Sequence, residues 1–254
     1  MVDWTPRGAT APVLFVSPRA IFAAGHPIRG GVPVCFPWFA NHPTDVAKPP
    51  HGFARTTVWS LDELTSDGSD TRIVLRLGAN PATRARWPHD FRATLTLALG
   101  SRLAMTLAVE NISAAELVYE AALHTYLTVG DVERISVHGL EHTRYLDKVD
   151  GMREKRSDDT PLTATGEVDR VFIDTTAACL VSDPVLQRTI RVDKTGSRTT
   201  VVWNPGPVKG PAVADLGDGA WRRFICVETA NTGEAAVRLA PGGRHEMTAT
   251  LSIA

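Results

Sequence analysis

The chain lacks the pairs of cysteines that would make a disulfide framework. Its three cysteines, Cys35, Cys179 and Cys226, are odd in number, far apart and form no CxxC pair, a usage that fits a reducing cytosol. It also lacks any apolar run long enough to cross a membrane, or one of signal-peptide type. An excess of either charge is missing too. A formal net charge of −1 creates no field that would recruit nucleic acid or an anionic membrane. Sustained helical periodicity with caps at both ends is absent, which excludes a helical bundle. No Rossmann fingerprint, P-loop or GxSxG elbow occurs, so nucleotide binding and serine-hydrolase chemistry have no motif to rest on. The expectation is a soluble, cytoplasmic protein, monomeric or weakly self-associating, with no nucleic-acid or membrane partner.

What the sequence does contain is alternation. From Phe91 to Leu99 the odd positions are apolar, while Arg92, Thr94 and Thr96 take the other face. Leu103 to Val109 repeats the pattern, with Gly100-Ser101 between the runs as a tight, glycine-first hairpin turn. Ile73–Leu77, Leu117–Thr128, Ile135–His138, Val171–Ile173, Thr199–Trp203, Phe224–Glu228, Ala235–Leu239 and Glu246–Ile253 also read as strands. Short helices are allowed near Pro37–Phe39 and Gly217–Trp221. Many short strands separated by turn signals predict an all-β sandwich or barrel. Ser157–Gly166 is the most loop-like stretch but is too short to divide two domains, so residues 1–254 are expected to form one domain.

Gly25 to Arg55 follows a different rule. Pro27, Pro33, Pro37, Pro43 and Pro49-Pro50 exclude a helix or a central strand, and the aromatics of "CFPWFA" argue against disorder. Gly30 and Gly31 would permit close backbone approach to a ligand. Arg29 and Arg55 bracket the segment as candidate anion forks, or as two solvent-facing arginines. Elsewhere, Glu228 interrupts the apolar strand "FICVETAN", where a carboxylate is costly unless paired or employed. It could instead face water on an edge strand, or pair with Arg222 or Arg223. His124 in "ALHTYL" is either a hydrogen-bonded core histidine or a proton-transfer group. Asp169 in "EVDRVF" reads equally as a turn residue at strand entry.

The pattern H-x-x-E-H at His138–His142 matches an inverted zinc-peptidase motif. That chemistry needs both histidines on one helix face, and Gly139 together with the alternating flanks "RISV" and "TRYLDKV" reads as a hairpin instead. No metal is expected.

The ordered set "IRGGVPVCFPWF", "HGFAR", "WPHDF", "LHTYLTVGD", "VDRVF", "VVWNPG" and "FICVETA" resembles the hexose-6-phosphate mutarotases, the glucose-6-phosphate 1-epimerase-like branch of the aldose 1-epimerase superfamily. The resemblance runs from about Trp4 to the C-terminus. It implies a large antiparallel β-sandwich of the galactose mutarotase type, with a concave sugar-binding face and few short helices. By the same resemblance His124 is the catalytic acid and Glu228 the base. Asp169 orients the sugar hydroxyls, His51 positions the ring, and Arg29 and Arg55 take the phosphate. The implied partner is a small-molecule sugar phosphate, glucose 6-phosphate first, with no cofactor. A mutarotase of unphosphorylated aldoses and a non-catalytic sugar-phosphate-binding protein are the alternatives. "MVDWTPRGATAPVLFVS" resembles the middle of the family's first hairpin, so a preceding strand is expected to be missing, leaving an exposed edge.

The implied chemistry explains the residue types. A pyranose changes anomer by opening to the aldehyde, rotating and closing on the other face. One base for the C1 hydroxyl proton and one acid for the ring oxygen do both steps, with roles exchanged on closure.

Overall fold

The computed structural model describes residues 1–254. Its strands, in chain order, begin with β1 (Val34–Cys35), β2 (Ser60–Ser66) and β3 (Thr71–Gly78), then helix α1 (Pro81–Arg86). The hairpin β4 (Phe91–Leu99) and β5 (Leu103–Asn111) follows, then three short strands, β6 (Leu117–Tyr119), β7 (Ala121–Leu123) and β8 (Tyr126–Thr128). Next come β9 (Ser136–His138), β10 (Arg144–Asp147), β11 (Arg153–Arg156), β12 (Val168–Phe172), β13 (Cys179–Asp183) and β14 (Arg188–Thr195). The chain closes with β15 (Thr199–Asn204), helix α2 (Gly206–Lys209), β16 (Phe224–Asn231), β17 (Val237–Leu239) and β18 (Arg244–Ile253).

These strands build two eight-stranded antiparallel sheets. One is a long-stranded sheet in the order β2-β3-β4-β5-β18-β14-β13-β9. The other runs β1-β7-β16-β15-β12-β10-β11, with β8 also pairing β16. β17 and β6 form a separate two-stranded ribbon. The expected all-β sandwich is what forms, and its helices are short.

The period-two pattern decides which face goes inward. In β4, Phe91, Ala93, Leu95 and Leu97 are buried, and in β5 Leu103, Met105, Leu107 and Val109 are. They join one cluster of 52 buried residues that draws on both sheets. The β4–β5 turn is three residues long, since Leu99 pairs Leu103, rather than the two-residue turn the sequence suggested. A Cβ on Gly100 would sit 1.8 Å from Asp70 Oδ1, the end of an exposed side chain that is free to move aside.

Several elements depart from the sequence reading. Leu117–Thr128 breaks into β6, β7 and β8, because Glu120 is drawn to loops from elsewhere in the chain and the backbone turns tightly at His124. Glu120 leaves the ladder to accept from Phe39 N–H at 2.9 Å and Gly233 N–H at 2.6 Å. After Leu123, Thr125 N–H bonds back to Leu123 O at 2.9 Å, a three-residue turn with His124 at its centre. The strands β2 and β11 carry no apolar alternation to read, being "SLDELTS" and "REKR". Helix α1 is short but well signalled: Asn80 Oδ1 accepts from Ala82 and Thr83 N–H, with Pro81 in the first turn. Pro37–Phe39 forms no helix; the Phe36–Pro37 bond is cis. Ala220–Arg223 is a single 3-10 turn.

The H-x-x-E-H segment is neither helix nor hairpin. Strand β9 pairs β13 in the long-stranded sheet, whereas β10 pairs β11 and β12 in the other. Glu141 folds back so that its Oε2 accepts from Gly139 N–H at 2.7 Å. No group of three or more His, Cys, Asp or Glu side chains converges as a metal site. No helix is long and apolar enough to cross a membrane.

Candidate functional site

Strand β16 is unlike its neighbours: all eight of its residues are buried. Its register sets Glu228 opposite Val201 and Cys226 opposite Trp203 on β15. Directly opposed residues share a face, so Glu228, Cys226, Val201 and Trp203 lie together. Asp169 on β12 pairs Trp203 and joins the same face. On the other flank, Leu123 pairs Thr229 and Tyr126 pairs Cys226. The turn between them therefore places His124 opposite Glu228, where the ladder is interrupted. Pro33 O accepts the His124 N–H at 3.0 Å, which ties the turn to the proline-rich segment.

His124 Nε2 lies 3.3 Å from Glu228 Oε1, with the side chains 8% and 1% exposed. The imidazole stacks on Tyr126, with centroids 4.9 Å apart and planes 14° apart, and meets Trp203 edge-on. Glu228 is neither on a wet edge nor paired with Arg222 or Arg223. Arg222 pairs Asp131 and Glu133, and Arg223 donates to Gly130 O.

The loops close over this face. His51 takes a left-handed backbone conformation, φ 65°, uncommon for a residue with a side chain. It is held by two bonds to Ala40: His51 N–H donates to Ala40 O at 2.7 Å, and Ala40 N–H donates to His51 Nδ1 at 3.3 Å. The second bond leaves Nε2 to carry the hydrogen of the neutral ring. Gly52 follows at φ 71°, and a Cβ there would lie 2.0 Å from Phe36 O. Only glycine lets "HGFAR" pass Phe36 and bring His51 and Arg55 to the same cavity. Gly30 and Gly31 make room for the chain itself rather than for a ligand. A Cβ on Gly30 would strike Phe15 O at 2.4 Å, and one on Gly31 would strike Met1 O at 2.2 Å.

The resulting cavity, about 300 Å³, is lined by Arg29, His51, Arg55, His124, Asp169 and Glu228, together with Phe39, Pro50, Lys148, Val201 and Trp203. All six residues singled out in the sequence thus meet in one place. Two of them are already engaged. Arg29 donates from Nε to Asp215 at 3.0 Å and from Nη1 to Tyr126 Oη at 3.2 Å. Asp169 Oδ2 pairs Lys148 Nζ at 2.9 Å. Arg55 has no carboxylate partner and donates only to Pro50 O, at 2.9 Å. Lys148, Tyr126, Trp203 and Asp215 went unassigned in the sequence. Asp215 lies 186 residues from Arg29, and no spacing rule connects them.

Three polar atoms of this cavity are buried without a partner: His124 Nδ1, Glu228 Oε2 and Asp169 Oδ1. Each such atom costs about 1–3 kcal/mol if left unsatisfied, so a surface that keeps three together is built for a polar visitor.

Burial dominates the protonation states. It pushes Glu228 well above the usual carboxylate range, with help from the Asp169 charge. It holds His124 well below the usual imidazole range, with His51, Arg55 and Arg29 adding to it. His51 is pushed down to about 3 by burial, then by Arg55, Lys148 and Arg29, so it is neutral over the ordinary pH range. These environments favour neutral forms of both partners, with a proton on the Glu228 carboxyl facing the His124 imidazole. A buried acid and base that share one proton can exchange roles at little cost.

Comparison with known proteins agrees with this geometry. The aldose 1-epimerase family profile matches residues 1–252. A relative from Escherichia coli (strain K12), named "Putative glucose-6-phosphate 1-epimerase", is 36% identical over 92% of this chain and 77% of its own. The crystal structure of a "putative mutarotase" from Salmonella typhimurium superposes with a TM-score of 0.93 at 32% identity, covering 100% of this chain and 83% of that one. A galactose mutarotase-like protein from Clostridium acetobutylicum shares the fold, with a TM-score of 0.69 at 15% identity, over 88% of this chain and 79% of its own. With a profile spanning nearly its whole length and relatives above 30% identity on either side, the chain belongs to the aldose 1-epimerase family and is an epimerase.

Proposed function

We propose that this epimerase interconverts the α and β anomers of a hexose 6-phosphate, glucose 6-phosphate first, with Glu228 as base and His124 as acid. The observation that carries the reading is the convergence of three unpaired buried polar atoms, on His124, Glu228 and Asp169, in the cavity that also holds Arg29 and Arg55. The two groups needed for ring opening are in contact, and cations stand within the same 300 Å³.

The residues act in sequence. Arg55, with Arg29 steadied by Asp215 and Tyr126, receives the phosphate dianion. That charge offsets the two guanidinium groups that hold the His124 proton affinity down. The proton shared across the 3.3 Å contact then shifts toward the imidazole, leaving Glu228 as carboxylate. Glu228 removes the proton from the C1 hydroxyl while the imidazolium of His124 protonates the ring oxygen, and the ring opens. After rotation about C1–C2, the reverse transfers close it on the other face. The Asp169 carboxylate accepts from sugar hydroxyls through Oδ1, and His51 Nε2–H donates to the ring substituents. Nothing in these steps needs a cofactor. The proposed setting is the cytoplasm, a reading supported by three buried free cysteines and a phosphorylated substrate. The proposed assembly is a monomer or weak homo-oligomer.

The test is two-dimensional exchange NMR of glucose 6-phosphate with wild type, Glu228→Gln and no protein. Acceleration by wild type alone supports the reading. Spontaneous rates in all three, from folded protein that still binds the ligand, would point to a sugar-phosphate-binding protein. Equal acceleration of glucose and glucose 6-phosphate would remove the phosphate from the proposal.

A further inference from the structure

We infer that Lys148 is a positioning residue of this site: its ammonium holds one oxygen of Asp169, so that the other is presented, charged and fixed, to the hydroxyls of the bound sugar. The inference rests on the proposed reading of the cavity as a sugar site and adds to it a residue that touches the sugar only through another.

Lys148 is joined to Asp169 twice. Its backbone N–H donates to Asp169 O at 2.9 Å, extending the β10–β12 ladder one residue past the Asp147–Arg170 pair. Its Nζ lies 2.9 Å from Asp169 Oδ2, with side chains only 27% and 17% exposed. The ammonium also sits 5.7 Å from the Phe39 ring centroid, and Phe39 packs edge-on against His51 at 4.9 Å. The lysine is therefore clamped between a strand and an aromatic wall, while Asp169 Oδ1 stays buried and unpaired. Of two lone-pair-bearing oxygens, one is occupied by the protein and one is left over.

The charges around Asp169 show why a cation is needed there. Burial raises its proton affinity, and Lys148 is the largest influence against it. Glu167, at the entry to β12, acts in the same sense as burial, and Lys209 of α2 acts against it. Those two pair with each other at 2.7 Å and oppose one another, with Glu167 the larger influence. From β16, the Glu228 carboxyl faces the same space, and from β15 Trp203 brings no charge. Without Lys148 the carboxyl would lose its only direct ion-pair partner: Lys209 is tied to Glu167, Arg29 to Asp215 and Tyr126, and Arg55 to Pro50 O. It would then take up a proton nearer neutrality and lose its value as an acceptor from sugar hydroxyls. The same ammonium lowers the proton affinity of Glu228, so its influence reaches the proposed base as well.

The first experiment reads the carboxyl directly. In ¹³C NMR titrations, the Asp169 signal is assigned by its loss in Asp169→Asn, and its midpoint is compared in wild type, Lys148→Arg and Lys148→Met. The expected result is a rise of about one unit or more in Lys148→Met, with Lys148→Arg close to wild type. An unchanged midpoint in folded Lys148→Met would overturn the inference. The second reads binding by calorimetry with glucose 6-phosphate and with inorganic phosphate. Lys148→Met is expected to lose about tenfold in sugar-phosphate affinity, to regain it as pH is raised, and to bind inorganic phosphate as wild type does. Lys148→Met/Asp169→Asn is expected to match Asp169→Asn alone. Additive losses, or weakened binding of inorganic phosphate, would make Lys148 a direct phosphate ligand and overturn the positioning role. Failure of wild type to accelerate anomer exchange would sink the epimerase chemistry yet leave the carboxyl titration readable.

Discussion

The two eight-stranded sheets treat their polar side chains in opposite ways. On the outer face of the long-stranded sheet, Arg76 pairs Asp62 at 2.7 Å, Arg72 pairs Glu63 at 3.3 Å and Arg92 pairs Glu110 at 2.6 Å, all in contact with water. On the cavity-lining face of the sheet around β16, fewer charges are held deeper. His124, Asp169 and Glu228 each keep a buried atom with no partner. Satisfied charges in solvent keep a surface soluble and change little when removed. Buried polar atoms without a protein partner carry free energy that a ligand or an ordered water can release. The abundance of charged residues therefore says little about where the chemistry is; their burial and lack of partners say more.

Removing groups from each face would break or sharpen that contrast. The largest effect is expected for Glu228→Gln, which keeps the shape but cannot take a proton: anomer exchange should fall at least about a hundredfold. Ligand affinity should be nearly unchanged. NMR exchange rates and calorimetry check this, and a variant within about twofold of wild type would remove Glu228 as the base.

Next comes the division between the arginines. Arg55→Ala should raise KM about tenfold with little change in Tm, because Arg55 bonds only to Pro50 O. Arg29→Ala should do the same and also lower Tm, because it strands Asp215 and the Tyr126 hydroxyl. Identical Tm values for the two variants would contradict that division.

A smaller effect concerns acid stability. The His51 ring is protonated below about 6.5 when unfolded but only near 3 when folded. Between those values the unfolded state binds more protons, so His51 makes stability fall as pH falls, and it contributes no slope above 6.5. His124 slopes the same way, and Glu228, whose folded proton affinity is raised, slopes oppositely above about 4.5. His51→Gln should therefore lose less Tm than wild type between pH 6.5 and pH 4. A steeper loss would contradict the buried neutral ring. The smallest effect belongs to the outer sheet: Arg76→Ala should cost about 0.2–1 kcal/mol in a denaturant titration and leave exchange rates alone.

Much of this was legible beforehand, for physical reasons that vary by element. Phe91–Leu99 and Leu103–Val109 announced themselves because a half-buried strand must alternate. The strands β2 and β11 did not, because they lie at sheet edges where nothing apolar is required. Glu228 stood out as a carboxylate in an apolar run, and "HGFAR" stood out through its family resemblance. Lys148 and Asp215 gave no signal, because each matters only through a side chain that the chain meets after folding.

The sequence by itself determined the fold class, the strand faces and the identities of the groups able to move protons, since these follow from local periodicity and side-chain chemistry. It also carried the resemblance that pointed to a sugar phosphate. Tertiary structure alone decided that Leu117–Thr128 breaks at His124, that this break falls opposite Glu228, and that Lys148 closes on Asp169. Those outcomes depend on ladder register and on loops arriving from elsewhere in the chain, and distance across a sheet is not written in distance along it.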